Sequence, residues 1–525
     1  MNEKPSSDLA SHPLRESTES LLSSPQAISA NVSRAAFFRL IAAAAIVLLV
    51  MLGSAALWTH EGRWAVICRE MMRSGDFFHP YELDRPYYYK PLVSYWLMIG
   101  FAQLLGGLDE WALRLPGVVA GLLSVLLTRR LGRRLFGETT GHFAGWMLVG
   151  CLFFVYWSRV ASSDMLNVAA ILAVAAWYAE RRDRPGFVTH AGFFLLLGLG
   201  GLMKGLIAPV IAILFILPDL LSHGRWRPHL RPSLLPAALI GAAVYLTPYA
   251  LSTLIGGPAP GTGGGSGLRQ AFRETVVSFF KPYDHAEPVY TYFLYLPVYL
   301  LPWTLFLPAV VRSRARRWKE TGHDEKWIVA SCILIFAFLT LSRTRRSYYV
   351  LPLLPFTVLF IADVIVSEHP AGGRLWNWAK GAAVACWLGM AVWFATITPM
   401  PSAVGGVRIL AEDVQKSAVQ RSAWSVWQVV LVDAPPAVAF YLDPADQPRR
   451  MHLDDPELAT FLRVHPRTVL VTRAKHAPEA ARMIDDPIVI KERYLPELKK
   501  WLGRFAPDEN ELLVAIMPGK FVGGR

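Results

Sequence analysis

Two adjacent stretches decide the fold: 36-AFFRLIAAAAIVLLVMLGSAALW-58 and, with no break, 59-THEGRWAVICREMMRSGDFFHPYELDRPYYYKP-91. The first carries one charge, Arg39, and is long enough to cross a hydrocarbon core of about 30 Å as a helix. The second is polar, with acids at Glu61 and Glu70, several arginines, and a Tyr-Tyr-Tyr-Lys-Pro cluster that ends at Pro91. A plain connection between spans needs only a few turn residues. One this long and this rich in titratable groups predicts an active-site loop at a membrane surface.

Outward from this point, apolar runs recur from Ala35 to Ile397. Only helices or closed barrels satisfy their backbone inside a bilayer, and runs this continuous are helices. The chain of 525 residues is 53% apolar, with mean hydropathy +0.33 and net charge +13. The predicted class is a mainly α, polytopic helical membrane protein. Its positive charge follows from arginine clusters in cytoplasmic loops, so no nucleic-acid partner is needed to explain it. Of four cysteines, Cys151, Cys332 and Cys386 lie in apolar runs and only Cys68 in a polar one, which excludes a disulfide framework. Residues 1–34 have the composition of a disordered cytoplasmic tail rather than a signal peptide.

Charge placement sets the topology. With Arg34 and Arg39 inside, residues 59–91 lie outside. The cluster Arg129, Arg130, Arg133 and Arg134 then returns inside only if Leu92–Leu105 is interfacial or re-entrant and Trp111–Thr128 spans. Further spans are expected at His142–Trp157, Met165–Ala179, Phe187–Met203, Gly205–Leu221, Leu234–Ile255, Tyr290–Val311, Trp327–Leu341, Tyr348–Val366 and Trp378–Ile397. That makes about eleven to thirteen spans, an odd number. A second outer loop covers 256–289, with an interfacial helix at Leu268–Phe280 followed by His285. Residues 35–398 form the membrane domain, and 399–525 lie outside. There, Trp427–Asp433, Arg467–Thr472, Ile488–Lys491 and Leu512–Met517 read as strands and Asp455–Val464 as a helix, giving a small soluble α/β domain that packs or covers.

The chemistry concentrates at the outer surface. Arg63, Arg69, Lys90, Lys204, Arg343, Arg345 and Arg346 all fall where positive charge is under-represented in short loops. A shared anionic ligand such as a phosphate accounts for several of them; contact with lipid headgroups is the alternative. Glu61, Glu70 and Asp164 are the acids at this mouth. Sugar transfer to a hydroxyl needs a base near the nucleophile, while a leaving phosphate needs only positive charge. Glu61 has the alternative of pairing with Arg63 or Arg69. No spaced His/Asp cluster suggests a metal site, and no cofactor is expected.

His60-Glu61-Gly62-Arg63, Arg69-Glu70-Met71, Tyr89-Lys90-Pro91-Leu92 and Tyr95-Trp96 resemble the first outer loop of the GT-C superfamily, nearest the ArnT-type aminoarabinose transferases and the protein O-mannosyltransferase-like group. Arg114-Leu115-Pro116, Ser163-Asp164, Lys204-Gly205, Pro302-Trp303 and Tyr349-Val350-Leu351-Pro352 extend the resemblance over residues 36–400. It implies a monomeric inner-membrane glycosyltransferase facing the periplasm. The enzyme would move a sugar, with inversion, from a polyprenyl phosphate to lipid A or another envelope acceptor. It also implies that Lys90, with Arg63, Lys204, Arg343, Arg345 and Arg346, holds the carrier phosphate. Two positions depart from the family pattern: His60 stands where an Asp is usual and Tyr89 where a Glu is common. Glu61, His60 and Asp164 therefore remain the candidates for base, with Glu70, Tyr89 and His285 at the mouth. A transporter, flippase or non-catalytic binder of a lipid-linked sugar is the competing reading.

Overall fold

The structure, a computed structural model, describes residues 32–255, 287–368, 373–400, 406–493 and 508–519. Residues 1–31 of the expected tail and residues 256–286 of the second outer loop, including Leu268–Phe280 and His285, lie outside these.

Helix α1 (Arg34–Leu49) leads to α2 (Thr59–Ser74), so the first half of the expected active-site loop is helical. Glu61, Ala65, Cys68 and Met71 recur at helical spacing and form a buried stripe. The Glu61 carboxylate accepts from the Trp58 amide (3.3 Å) at the start of α2, and Gly75, at φ 71°, ends the helix. A two-stranded hairpin follows, β1 (Tyr81–Glu82) and β2 (Arg85–Pro86).

Next come α3 (Leu92–Leu105) and α4 (Glu110–Phe136). The expected span His142–Trp157 is two helices, α5 (Glu138–Val149) and α6 (Leu152–Ser158), bent by 70°. Helix α7 (Asp164–Arg181) is the centre of the bundle and is buried nearly all round. Helices α8 (Phe187–Lys204), α9 (Ile207–Leu221) and α10 (Leu234–Ile255) pack beside it. A Cβ on Gly198 of α8 would stand 2.4 Å from the Gly241 carbonyl oxygen of α10, so small residues let these two helices touch backbone to backbone. The expected span Tyr290–Val311 is also broken, into α11 (Thr291–Tyr299) and α12 (Leu307–Arg316); Pro297, Pro302 and Pro308 interrupt the backbone ladder. Helices α13 (His323–Leu341), α14 (Leu353–Glu368) and α15 (Arg374–Val392) complete the bundle.

Among the described residues, α4, α8, α10 and the segment Arg374–Ile397 are long and apolar enough to cross a bilayer, and the bent α5–α6 pair makes a fifth. The other bundle helices are shorter, broken by proline, or carry charged ends. Helix α3, with 14 residues, is too short to span alone, as its interfacial reading requires.

After α16 (Val407–Val419), a five-stranded sheet forms from β3 (Gln428–Leu431), β4 (Arg449–Arg450), β5 (Thr468–Arg473), β6 (Pro487–Lys491) and β7 (Leu513–Pro518), in the order β4-β3-β5-β7-β6. Strand β3 is parallel to β4 and β5, while β7 is antiparallel to β5 and β6. Helices α17 (Pro436–Leu442), α18 (Pro456–Val464) and α19 (Ala477–Ala481) connect the strands. The four expected strands fall within two residues of their bounds. Strand β4, two arginines with no apolar run, gave no sequence signal.

Candidate active site

Short local signals place four groups together. Ser163 leads into α7 with Asp164 in its first turn, where the helix dipole favours a negative charge. Gly205, at φ 80°, ends α8 just after Lys204, where the dipole favours a positive charge. The two side chains form an ion pair, Lys204 Nζ to Asp164 Oδ1, both about nine-tenths buried. The Lys204 ammonium also stands 4.5 Å from the Tyr349 ring centre and 5.4 Å from that of Tyr348, in the short turn Ser347–Val350 that Arg346 precedes. His60, in the first turn of α2, faces Tyr348 with ring centres 6.5 Å apart. Burial, then Arg346 and Arg63, hold the His60 imidazole below its ordinary value; Asp164 and Glu61 partly offset them.

Lys90 is half-buried, just before α3. Ser94, in the first turn of α3, donates its hydroxyl to the Met203 carbonyl (2.9 Å). The Lys90-Pro91 entry to α3 is thereby set against the end of α8 that carries Lys204.

Glu61 sits behind this group, 1% exposed. Its carboxylate accepts from Arg114 Nε (2.8 Å), Arg114 Nη2 (2.7 Å) and the Ala161 amide (2.9 Å), besides Trp58. The pairing expected with Arg63 or Arg69 is therefore replaced by one with Arg114. Arg114 also donates to the carbonyls of Leu52 (2.7 Å) and Ala55 (2.9 Å), and Arg159 to those of Val47, Leu48 and Val50. These two buried arginines fix the α1–α2 junction. Arg114 was named only within the resemblance; a charge within an apolar run is the signal that could have marked it.

Other expected residues are spent elsewhere. Arg63 pairs with Glu82 (3.2 Å) and donates to the Tyr87 hydroxyl (3.1 Å). Arg69 pairs with Asp443 (2.8 Å), and Arg345 donates to the carbonyls of Thr340 and Glu287. Arg343 and Tyr89 are exposed. Glu70 is half-buried midway along α2, three turns from His60, and burial raises its carboxyl.

The described residues also bring Asp219, His323 and Asp324 together, with possible ligand atoms within 4.8 Å of one another. Positions 219 and 323 are far apart in sequence, so spacing could not reveal this group. It lies at the other end of α7, about 27 Å from Asp164 at the rise of an α-helix. Arg182 already bridges the two acids, to Asp219 (3.2 Å) and Asp324 (2.8 Å), and Tyr178 donates to Asp219 (2.8 Å). The arrangement reads as an ion-pair network beside a cavity of about 450 Å³.

Residues 89–251 match the family described as Dolichyl-phosphate-mannose-protein mannosyltransferase. The undecaprenyl phosphate-alpha-4-amino-4-deoxy-L-arabinose arabinosyl transferase of Pseudomonas paraeruginosa is 31% identical over 327 residues, 59% of this chain and 56% of that protein. The protein of the same name from Enterobacter sp. is 27% identical over 57% of this chain and 53% of its own length. The chain thus spans a little over half the length of these curated relatives. The crystal structure of ArnT from Cupriavidus metallidurans bound to undecaprenyl phosphate superposes with a TM-score of 0.65 at 18% identity, over 92% of this chain and 98% of that one. The matched segment is thus similar to that mannosyltransferase family and to the arabinosyl transferases, and the fold is the one seen in ArnT.

Proposed function

We propose that the protein is an inverting membrane glycosyltransferase. It takes one sugar from a polyprenyl phosphate, undecaprenyl phosphate by analogy with its relatives, and transfers it to lipid A or another envelope acceptor on the periplasmic side. The observation that carries this reading is the buried Asp164–Lys204 pair, edged by His60, Tyr348, Tyr349 and Arg346 and set beside Lys90. It joins two candidate proton acceptors, Asp164 and His60, to several cations.

The acceptor hydroxyl attacks the anomeric carbon as the bond from that carbon to the phosphate oxygen breaks. Lys90, Lys204 and Arg346 neutralise the charge that collects on the departing carrier phosphate. Asp164 or the neutral His60 imidazole takes the hydroxyl proton. Glu61, with its lone pairs engaged by Arg114 and two backbone amides, is assigned to holding α2 rather than to proton transfer. No resident cofactor is assigned, because Lys90, Lys204 and Arg346 supply the positive charge that a departing phosphate needs. The enzyme is proposed to act as a monomer.

Mass spectrometry of lipid A and total envelope glycans tests this in a bacterium with and without the gene, complemented by wild type or by Lys90→Ala. Loss of one defined sugar, restored by wild type and not by Lys90→Ala, is the expected result. Unchanged glycans in the deletion would overturn it in favour of transport or binding.

A further inference from the structure

The C-terminal domain grips the helix that begins the site. Its α17 lies so close on α2 that a Cβ on Gly62 would stand 2.5 Å from the Ala437 backbone. Arg69 and Arg73, one turn apart on α2, both reach the Asp443 carboxylate at the end of α17 (2.8 and 2.6 Å). Arg69 also donates to the Phe440 and Ala439 carbonyls (2.7 Å each), capping α17 from outside. Further along, the Tyr441 hydroxyl donates to Glu110 (2.7 Å) and accepts from the Leu57 amide (2.7 Å). Arg450 pairs with Glu82 of the hairpin (3.0 Å). Val66 of α2 and Leu83 of the hairpin are buried within the core of the domain itself.

Helix α2 is therefore held from two sides. Glu61 ties its start to Arg114 and the Ala161 amide in the membrane domain. Asp443 ties its far end, and Tyr441 ties Leu57, two residues before its start, to the C-terminal domain. His60 lies beside the first tie, facing Tyr348, so its depth depends on both. Resting on the transferase reading above, we propose that the C-terminal domain is a clamp on the active site, with Asp443 and Tyr441 as positioning residues that set where His60 stands.

The test uses the full chain in detergent, with two readouts. One is kcat and KM for sugar transfer. The other needs no activity: the pH midpoint of His60 acylation by diethylpyrocarbonate, followed on the His60 peptide by mass spectrometry. Around His60 stand Arg346 of the Tyr348 turn, Arg63 and Glu61 of α2, and Asp164 of α7. Asp443→Asn is expected to lower kcat about tenfold to a hundredfold with little change in donor KM, as small misplacements of reacting groups do. The acylation midpoint should rise towards the ordinary histidine value as α2 loosens. Asp443→Glu should recover both, and the milder Tyr441→Phe should move both in the same direction as Asp443→Asn. An unmoved midpoint in folded Asp443→Asn and Tyr441→Phe would overturn the clamp. A moved midpoint in the variants, with a wild-type protein that transfers no sugar, would keep the clamp and overturn the transferase reading.

Discussion

Glu61 and Asp164 are both buried acids at helix starts, and their partners separate their roles. Glu61 answers a guanidinium and two amides; Asp164 answers one lysine that also faces two tyrosine rings. Removing one partner of a buried ion pair typically costs roughly 3–5 kcal/mol, because the other charge is left unpaired. Glu61→Gln should therefore melt well below wild type in detergent, with activity falling as folded protein falls. Asp164→Asn also leaves a buried partner, Lys204, unpaired and should lose stability too, but its kcat per folded molecule should drop at least a hundredfold, as loss of a general base does. A Glu61→Gln variant that is fully folded and inactive would reverse the two assignments. His60 adds a pH signature. Its ordinary value is 6.5, and the fold holds it lower, so its proton-accepting form persists to more acid pH. If His60 is the base, activity falls only below that lowered value, and His60→Gln removes this acid limb from the kcat profile. The charged residues of the candidate site were legible in the sequence, because acids and cations are rare among apolar runs; Tyr348 and Tyr349 were not singled out as site residues, since aromatic residues are common there. The sequence did not reveal which acid is occupied, because Arg114 lies 53 positions from Glu61 and only folding brings them together.

At the scale of elements, apolar length and turn chemistry were enough to locate α7, α8, α9 and the sheet strands. Breaks within apolar runs were not legible. The 70° bend between α5 and α6 falls at Gly150-Cys151, and an isolated glycine in an apolar helix is usually tolerated. Helix α2 was also missed, its stripe of Glu61, Ala65, Cys68 and Met71 hidden by the charges between. The contact of α8 with α10 matters for the site because α8 ends in Lys204. A leucine at Gly198 would drive its side chain into the Gly241 carbonyl, and overpacking of this kind costs about 1–3 kcal/mol or more. Gly198→Leu is expected to lower the melting temperature and weaken donor binding together. Gly100→Leu, in α3, is the control, since nothing lies within 4 Å of a Cβ built there. Equal loss from both variants would mean that the close approach of α8 and α10 has no special role.

The whole molecule has two chemically distinct ends, separated by the length of α7. One carries Lys90, Asp164, Lys204 and His60, with the C-terminal domain docked on α2. The other gathers arginines in the last turn of α4 and just after α7 and α9, tied by Arg134–Asp183, Arg182–Asp219, Arg182–Asp324 and Arg225–Asp183 pairs. Clustering of arginines in short connections marks a cytoplasmic end. On the proposed reading, the site and the C-terminal domain then share the outer side. Single cysteines at three exposed positions, Arg133, Asp84 and Asp454, test this in sealed membrane vesicles of known orientation. The native cysteines are buried or half-buried, so background labelling by an impermeant maleimide should be low. Asp84→Cys in the hairpin and Asp454→Cys in the C-terminal domain should react together in right-side-out vesicles, and Arg133→Cys only in inverted ones. Labelling of Arg133→Cys and Asp84→Cys from the same side would break the link between charge and topology and remove the periplasmic placement of the site. Labelling of Asp84→Cys and Asp454→Cys from opposite sides would instead contradict the docking of the domain on α2, on which the clamp depends.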